Sequence, residues 1–528
     1  MAAVVVVALC LLLAGQAGYP LDDAWIHQDF ARTLATTGQF AYLPGRTGAG
    51  STSPLWVVLL LPPQWLFHGQ PPVWLAVGWT ALLGGAALAG LGLMAGLMAR
   101  ELARHRGAGA GAVWLAGVIA SLAVVAEWHL VWAAVSGMET DLFALLVLFV
   151  FFVASRGAPP VALGLLIAVG VAVRPEAALA GLVVGLASLW GALGGLPARW
   201  TGGALARWAL GWLAPFGLSA TVGCVPYLAV NLAASGHLLP STIYAKSSYY
   251  AQGNFAQAAL TDLAGVVGTL IAASPVVLLA LALSYSRWLL TWNPARREKM
   301  KGGTGTTGAA QRGRDTMQQA RGGATEPQGA TPFSLRVALW LWVAGLITAY
   351  AGRGVATIVH GRYLMPVLPA LLALAAAGAA PLLLERSRML GIVGGALLLG
   401  AGIFSAGRGA QIYGENVRFI DGTQVATAQW LRVHAAPGSL IATHDIGAIG
   451  YFSGHQVIDM AGLADPEIIP LLGDQPALEA YLRQHHVAYV AMYTTWFPPP
   501  NAFARDLARR EVYVAPAAPT FVVYQTGW

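Results

Sequence analysis

The sequence predicts a mostly α-helical, polytopic membrane protein that ends in a small α/β domain. Three observations carry this. Of 528 residues, 57% are hydrophobic and only 10% are charged, where soluble domains carry about a quarter. The mean hydropathy is +0.62. The apolar residues fall into runs of membrane-crossing length separated by short loops, and after Arg408 shorter strand-like and helix-like segments replace the runs.

The first apolar run, residues 1–15, has the length of a secretory signal peptide but no basic start and no small-residue cleavage site, so it reads as a retained first span. It delivers the polar stretch 18–56 to one membrane face. Within that stretch residues 24–34 have helical spacing, with Trp25, Ile26, Phe30 and Leu34 on one side and Gln28, Asp29 and Arg32 on another, as in a helix lying along the surface. Residues 55–67 contain Pro62 and Pro63 and fall short of the roughly 20 residues a crossing needs, so they read as re-entrant or interfacial. Crossings follow at 73–99, 111–132, 141–154, 161–173, 177–193, 208–232, 263–290, 335–350, 364–384 and 390–404, which with the first makes about eleven.

The basic residues fix the orientation. Arg100, Arg104 and Arg106, then Arg156, Arg199 with Arg207, the tract 296–336, and Arg386 with Arg388 alternate with the remaining loops as the positive-inside pattern requires. This puts the loop 19–54, the Gly137 to Asp141 turn, Arg174 to Glu176, the loop 239–250, His360 to Tyr363 and the C-terminus on the extracytoplasmic face. The same pattern accounts for the net charge of +7 without nucleic acid. Residues 293–332, poor in large apolar side chains, read as a disordered cytoplasmic linker. The division is thus a membrane domain at 1–407 and an extracytoplasmic domain at 408–528, with strands at 439–442, 487–492 and 520–524 and helices at 475–485 and 502–510. The 64 glycines suit close helix packing in lipid. Cys10 and Cys224 both sit in apolar runs, which indicates neither a disulfide framework nor a cysteine metal site.

Charge beside lipid is costly and marks function. The acidic pair Asp22 and Asp23 follows the first span, and two readings apply to it. An aspartate before a helix caps its free N–H groups; adjacent carboxylates at a membrane surface deprotonate an acceptor hydroxyl or hold a cation. The same face collects Glu139, Asp141, Arg174, Glu176, Lys246, His360, Arg362 and Tyr363 at span ends. Each cation alone is explained by snorkelling or by pairing with a carboxylate, and His360 by packing. Together, acids and bases at one interface fit a reaction between a hydroxyl acceptor and an anionic lipid. A transporter or flippase of lipid-linked sugars would instead place charges at the midplane and show related halves, and a scaffold subunit would need no acidic pair.

The order Leu21-Asp22-Asp23-Ala24-Trp25-Ile26, Thr52-Ser53-Pro54-Leu55-Trp56, Ser136-Gly137-Met138-Glu139-Thr140, Arg174-Pro175-Glu176, Pro240-Ser241-Thr242 with Ala245-Lys246, and Gly361-Arg362-Tyr363-Leu364 resembles membrane glycosyltransferases of the GT-C fold. More specifically it resembles the actinobacterial terminal arabinofuranosyltransferases, which use polyprenyl-phospho-arabinofuranose. The similarity extends to His444-Asp445-Ile446-Gly447-Ala448-Ile449-Gly450-Tyr451 in the outer domain. The resemblance implies transfer of a sugar from a polyprenyl phosphate to a cell-envelope glycan, lipid or protein on the outer face, by an inverting single displacement. Asp23 is then the expected base and Asp22 its organiser. Lys246, Arg362, Arg174 and His360 are the expected phosphate ligands, and Trp25, His27, Trp56, Glu139 and Tyr363 the expected contacts to sugar or acceptor. No organic cofactor is required; a divalent cation, Mg2+, Mn2+ or Ca2+, is compatible with Asp22, Asp23 and Glu139.

Overall fold

Within lipid every backbone N–H and C=O must find its partner inside its own segment, so the apolar runs form helices. The computed structural model of the chain describes residues 2–15, 17–45, 50–194, 202–250, 255–268, 274–281, 333–351, 358–385, 388–496 and 510–527. The membrane part comprises α1 (Ala2–Ala14), α2 (Asp22–Thr37), α3 (Pro54–Leu59), α4 (Leu61–Leu66), α5 (Val73–His105), α6 (Ala110–Ala126), α7 (Trp128–Val135), α8 (Thr140–Ser155), α9 (Pro160–Val173) and α10 (Ala177–Gly194). It continues through α11 (Gly202–Trp208), α12 (Ala214–Ser235), α13 (Ser241–Tyr250), α14 (Phe255–Val266), α15 (Leu335–Tyr350), α16 (Leu368–Glu385) and α17 (Arg388–Ile420).

Among the described residues four helical stretches are long and apolar enough to cross a membrane: Val73–His105, Ala206–Ser235, Ile358–Leu384 and Gly391–His434. A bent pair, α6 and α7, makes a fifth, and shorter apolar helices accompany them. The chain is a helical membrane protein. Residues 55–67, expected to be re-entrant or interfacial, form two short helices that meet at Leu60. The span expected at 111–132 is broken: α6 ends at Ala126 and α7 turns away by 55°. The cause is Glu127, a charged residue in an apolar run, fully buried and extended in backbone conformation. The last expected span, 390–404, is longer than its apolar stretch. α17 runs through Arg408 and passes by a π-turn into α18 (Ala426–His434), so the chain has no break at residue 408 and the sheet begins only at β1 (Leu440–Thr443). The linker at 293–332 and the helix expected at 502–510 lie outside the described residues.

The C-terminal domain adds α19 (Ile446–Ser453), β2 (Gln456–Asp459), α20 (Gln475–Gln484), β3 (Tyr489–Tyr493), β4 (Glu511–Ala515) and β5 (Ala518–Gln525); it is the domain expected on the outer face. Its mixed sheet has the order β2-β1-β3-β5-β4, with β1 parallel to β2 and β3, and β5 antiparallel to β3 and β4. The strands expected at 439–442, 487–492 and 520–524 correspond to β1, β3 and β5.

One contact positions everything that follows. The C-terminal domain docks through α19 onto α2. At the start of α19 the N–H groups of Gly447 and Ala448 donate to Asp22 Oδ2 and Oδ1 at 2.7 and 2.8 Å. At its end the carbonyls of Tyr451 and Gly450 accept from Arg32 Nη1 and Nη2 at 2.8 and 3.1 Å. An acid of α2 thus meets the positive end of the α19 dipole and a base of α2 meets the negative end. Glycine makes the approach possible: a Cβ on Gly447 would lie 2.1 Å from the Asp22 carbonyl oxygen. Between the two caps Trp25 fills the interface, packed against Tyr19, Tyr451 and Phe452 at centroid distances of 4.7, 5.0 and 4.6 Å.

Candidate active site

Residues three and four apart share a face of a helix, and α2 uses two faces. Asp22, Trp25, Asp29 and Arg32 form the stripe that holds the C-terminal domain. Asp23, Ile26 and His27 form another, which lines a narrow cavity together with Gly50, Ser51, Thr52, Met138, Glu139, Arg174, Thr242, Arg362, Tyr363 and Leu463. Segments far apart in sequence meet here: the first loop, the turn before α8, the turn between α9 and α10, the start of α13, the 361–364 turn and the C-terminal domain.

The turn before α8 is shaped by Gly137, whose φ is +82° and whose missing Cβ would collide with Tyr19 and Ala24 at 2.7–2.8 Å. Its carbonyl accepts from Trp56 Nε1 at 2.9 Å, which ties α3 to the turn. Glu139, the next residue but one, is buried between His27 Nε2 at 3.4 Å and Arg174 Nη1 at 3.6 Å. Burial alone would raise its pKa, but the interactions with His27 and Arg174 outweigh it and hold the carboxyl at about 2. Arg174 also binds Glu176 Oε1 at 2.7 Å, and Glu176 accepts from the Tyr350 hydroxyl.

Asp23 and Arg362 form the second ionic group. Arg362 Nη2 donates to Asp23 Oδ2 and, at 3.1 Å, to the Tyr363 hydroxyl. Arg362 Nε and Nη1 are buried and have no hydrogen-bond partner among the described residues. The Asp23 side chain, in contrast, is 33% exposed. The Tyr363 ring lies under both guanidinium groups, 5.0 Å from Arg362 and 5.6 Å from Arg174.

The site therefore unites Asp23, His27, Glu139, Arg174, Arg362 and Tyr363 of the residues expected from sequence. Others are placed elsewhere. Asp22 is a cap, as one reading held, but of α19 rather than of its own helix. Burial and the nearby Asp445 charge push its carboxyl above the ordinary range, against the two N–H groups it accepts. Trp25 is 1% exposed in the docking interface and reaches no ligand space, and Trp56, equally buried, acts through Gly137. His360 is turned into a separate cluster: its Nε2 lies 2.9 Å from Asn416 Oδ1 and its ring packs edge-on to Trp128 and Trp132. It is not a phosphate ligand in this arrangement. Lys246 lies on α13, next to the cavity residue Thr242, but its side chain is outside the described residues. The three suggested metal ligands do not converge. Asp22 is filled by backbone N–H groups, Asp23 faces Arg362 and Glu139 faces Arg174 and His27; among the described residues no group of three or more His, Cys, Asp and Glu is placed to hold a metal ion.

Sequence reasoning missed two features. Leu463 enters the cavity from the C-terminal domain with no motif to announce it. Glu127 and His129, both fully buried and 2.6 Å apart at the α6 break, form a polar cluster with Ser274. A carboxylate two residues from a histidine inside an apolar run was the available signal.

Comparison with known proteins adds the following. A family model described as "Domain of unknown function (DUF8728)" matches residues 410–524. Comparison with curated proteins gives no match. The whole chain is similar in structure to ArnT from Cupriavidus metallidurans, in crystal structures bound to undecaprenyl phosphate and in the apo state. For each, the TM-score is 0.55 and the identity 14%, over 99% of this chain and 97% of that chain. At this identity the likeness is one of fold: the chain shares the GT-C fold that its motifs implied.

Proposed function

We propose that the chain is an integral-membrane glycosyltransferase that moves a sugar from a polyprenyl-phosphate donor to a hydroxyl of a cell-envelope glycan, lipid or protein on the extracytoplasmic face. One observation carries the reading: Arg362 pairs with Asp23, a third exposed, while its Nε and Nη1 are buried without a hydrogen-bond partner among the described residues. Buried donors without acceptors are costly, and a phosphate offers oxygens in the spacing a guanidinium fork fits. The undecaprenyl phosphate bound to ArnT supports the donor class.

The chemistry follows from the pair. The phosphodiester of the donor on Arg362 competes for its charge and loosens the bond to Asp23. Asp23 then accepts the proton of the acceptor O–H as that oxygen attacks the anomeric carbon. The bond from that carbon to the phosphate oxygen breaks, its electron pair leaves with the polyprenyl phosphate, and Arg362 stabilises the departing charge. One displacement inverts the anomeric centre. Arg174, already held between Glu139 and Glu176, contributes field and fixes Tyr363; a second phosphate ligand at Lys246 is what the sequence resemblance implies. No step needs a metal. The sugar that the sequence resemblance implies is arabinofuranose.

Binding of undecaprenyl phosphate tests this. Arg362→Ala should weaken it by about 10–150-fold, the equivalent of losing about 1.5–3 kcal/mol of charge-assisted contact. Affinity equal to wild type removes Arg362 from the phosphate site and the reading with it.

A further inference from the structure

We infer that the C-terminal domain selects the acceptor, through a loop between β2 and the turn Pro466–Leu471 whose Leu463 forms a wall of the catalytic cavity. The inference deepens the glycosyltransferase reading and rests on it. It also gives a task to the segment matched by a domain of unknown function, residues 410–524.

The cavity has two kinds of lining. Arg362, Arg174 and Tyr363 suit a phosphate. Asp23, His27 and Glu139 complete the ionic part, and what remains is uncharged: the hydroxyls of Ser51, Thr52 and Thr242, the peptide groups at Gly50, and the apolar Ile26, Met138 and Leu463. Hydroxyls, amides and aliphatic faces match a polyhydroxyl compound, which presents O–H groups and C–H patches together. Of the lining residues, Leu463 alone belongs to the C-terminal domain.

The loop is built to hold Leu463 in place. Asp459 ends β2 and is fully buried. Its Oδ1 accepts from Ala461 N–H at 2.8 Å and its Oδ2 from Ala464 N–H at 2.6 Å, so the carboxylate folds the chain on either side of Leu463. Asp465 Oδ2 returns the bond by accepting from Asp459 N–H at 2.8 Å. On the membrane side the loop is pressed against Gly50, where a Cβ would lie 2.8 Å from the Leu463 carbonyl oxygen and 2.9 Å from Ala464 Cα. Gly50 is held in turn by Thr242, whose hydroxyl donates to its carbonyl at 2.7 Å. The rim is thus a continuous piece of three segments, and Leu463 is the apolar member that the C-terminal domain contributes to it. A hydrophobic wall discriminates by volume, at about 10–200-fold for modest differences.

The test uses the full chain in its host. Deleting the gene and analysing the envelope glycans and lipids identifies the linkages that depend on the protein; complementation with wild type, Leu463→Ala and Leu463→Trp then reports which acceptors each variant serves. Undecaprenyl phosphate binding and thermal stability of the purified variants are measured in parallel. We expect all three proteins to fold and to bind undecaprenyl phosphate alike. Leu463→Trp should modify a narrower set of acceptors, losing the bulkier ones at least 10-fold, and Leu463→Ala an equal or wider set. If Leu463→Trp restores every linkage in wild-type proportion, or if both variants lose donor affinity, acceptor selection by this loop is wrong. If deletion changes no glycosidic linkage at all, the glycosyltransferase reading itself falls, and this inference with it.

Discussion

Asp22 and Gly447 are 425 positions apart in sequence and 2.7 Å apart in space, carboxylate oxygen to amide nitrogen. That hydrogen bond couples the acidic loop after the first span to the His-Asp-Ile-Gly motif of the C-terminal domain. It also explains why two adjacent aspartates have different work: on a helix, side chains of neighbouring residues point about 100° apart, so Asp22 reaches α19 while Asp23 reaches the cavity.

From this coupling, Asp22→Ala should undock the C-terminal domain. Two N–H groups at the start of α19 lose their acceptor, at a cost of about 1–3 kcal/mol each. Thermal unfolding and amide exchange at Gly447 and Ala448 report it: the midpoint should drop and both amides should exchange faster. Asp22→Asn should be milder than Asp22→Ala, because its one amide oxygen still accepts from one of the two N–H groups while its NH2 faces the other. A catalytic Asp22 would make the Asn variant inactive at full stability.

Gly447→Ala makes the same point from the other side. The added methyl meets backbone rather than a flexible side chain, so α2 and α19 must separate. Its thermal midpoint should fall further than that of the Ala448→Gly variant next to it, although a mid-helix glycine itself costs about 1 kcal/mol.

The pH dependence of stability has a defined sign at Glu139. Its carboxyl is held at about 2 against an ordinary 4.5. A depressed pKa contributes stability that is complete above pH 4.5 and is lost as pH falls toward 2. The full contribution is about 3 kcal/mol. Acid titration of the unfolding midpoint should show a steeper fall for wild type than for Glu139→Gln across that window, and the Gln variant should be the less stable protein at pH 7. Parallel titrations would remove Glu139 from the ionic network.

The fold was legible where hydropathy decides it. The membrane helices follow the apolar runs closely, and Pro62 and Pro63 fall in the stretch that forms two short helices instead of one long one. The Glu127 break was hidden because one charge barely lowers the mean of a long apolar window. β2 and β4 were hidden for a different reason: β2 is a strand of four residues, Gln456–Asp459, and β4 an exposed edge strand. In the site, Asp23, Glu139, Arg174 and Arg362 were legible because charge at a span end has few purposes. Trp25 and His360 misled because an aromatic or a histidine serves packing equally well, and their partners, Tyr451 and Asn416, come from distant segments. Leu463 was illegible in principle: only the fold brings an unremarkable leucine to the cavity.

The central claim is that Asp23 is the base and Arg362 the phosphate ligand it waits on. The most direct measurement is sugar transfer from a polyprenyl-phospho-sugar by Asp23→Asn protein, with undecaprenyl phosphate binding measured on the same preparation. Loss of general-base assistance should lower turnover by about 10²–10⁴-fold. Binding should be as tight as wild type or tighter, because Arg362 no longer has to leave a carboxylate to meet the phosphate. Near-wild-type turnover by a stable Asp23→Asn protein would contradict the account.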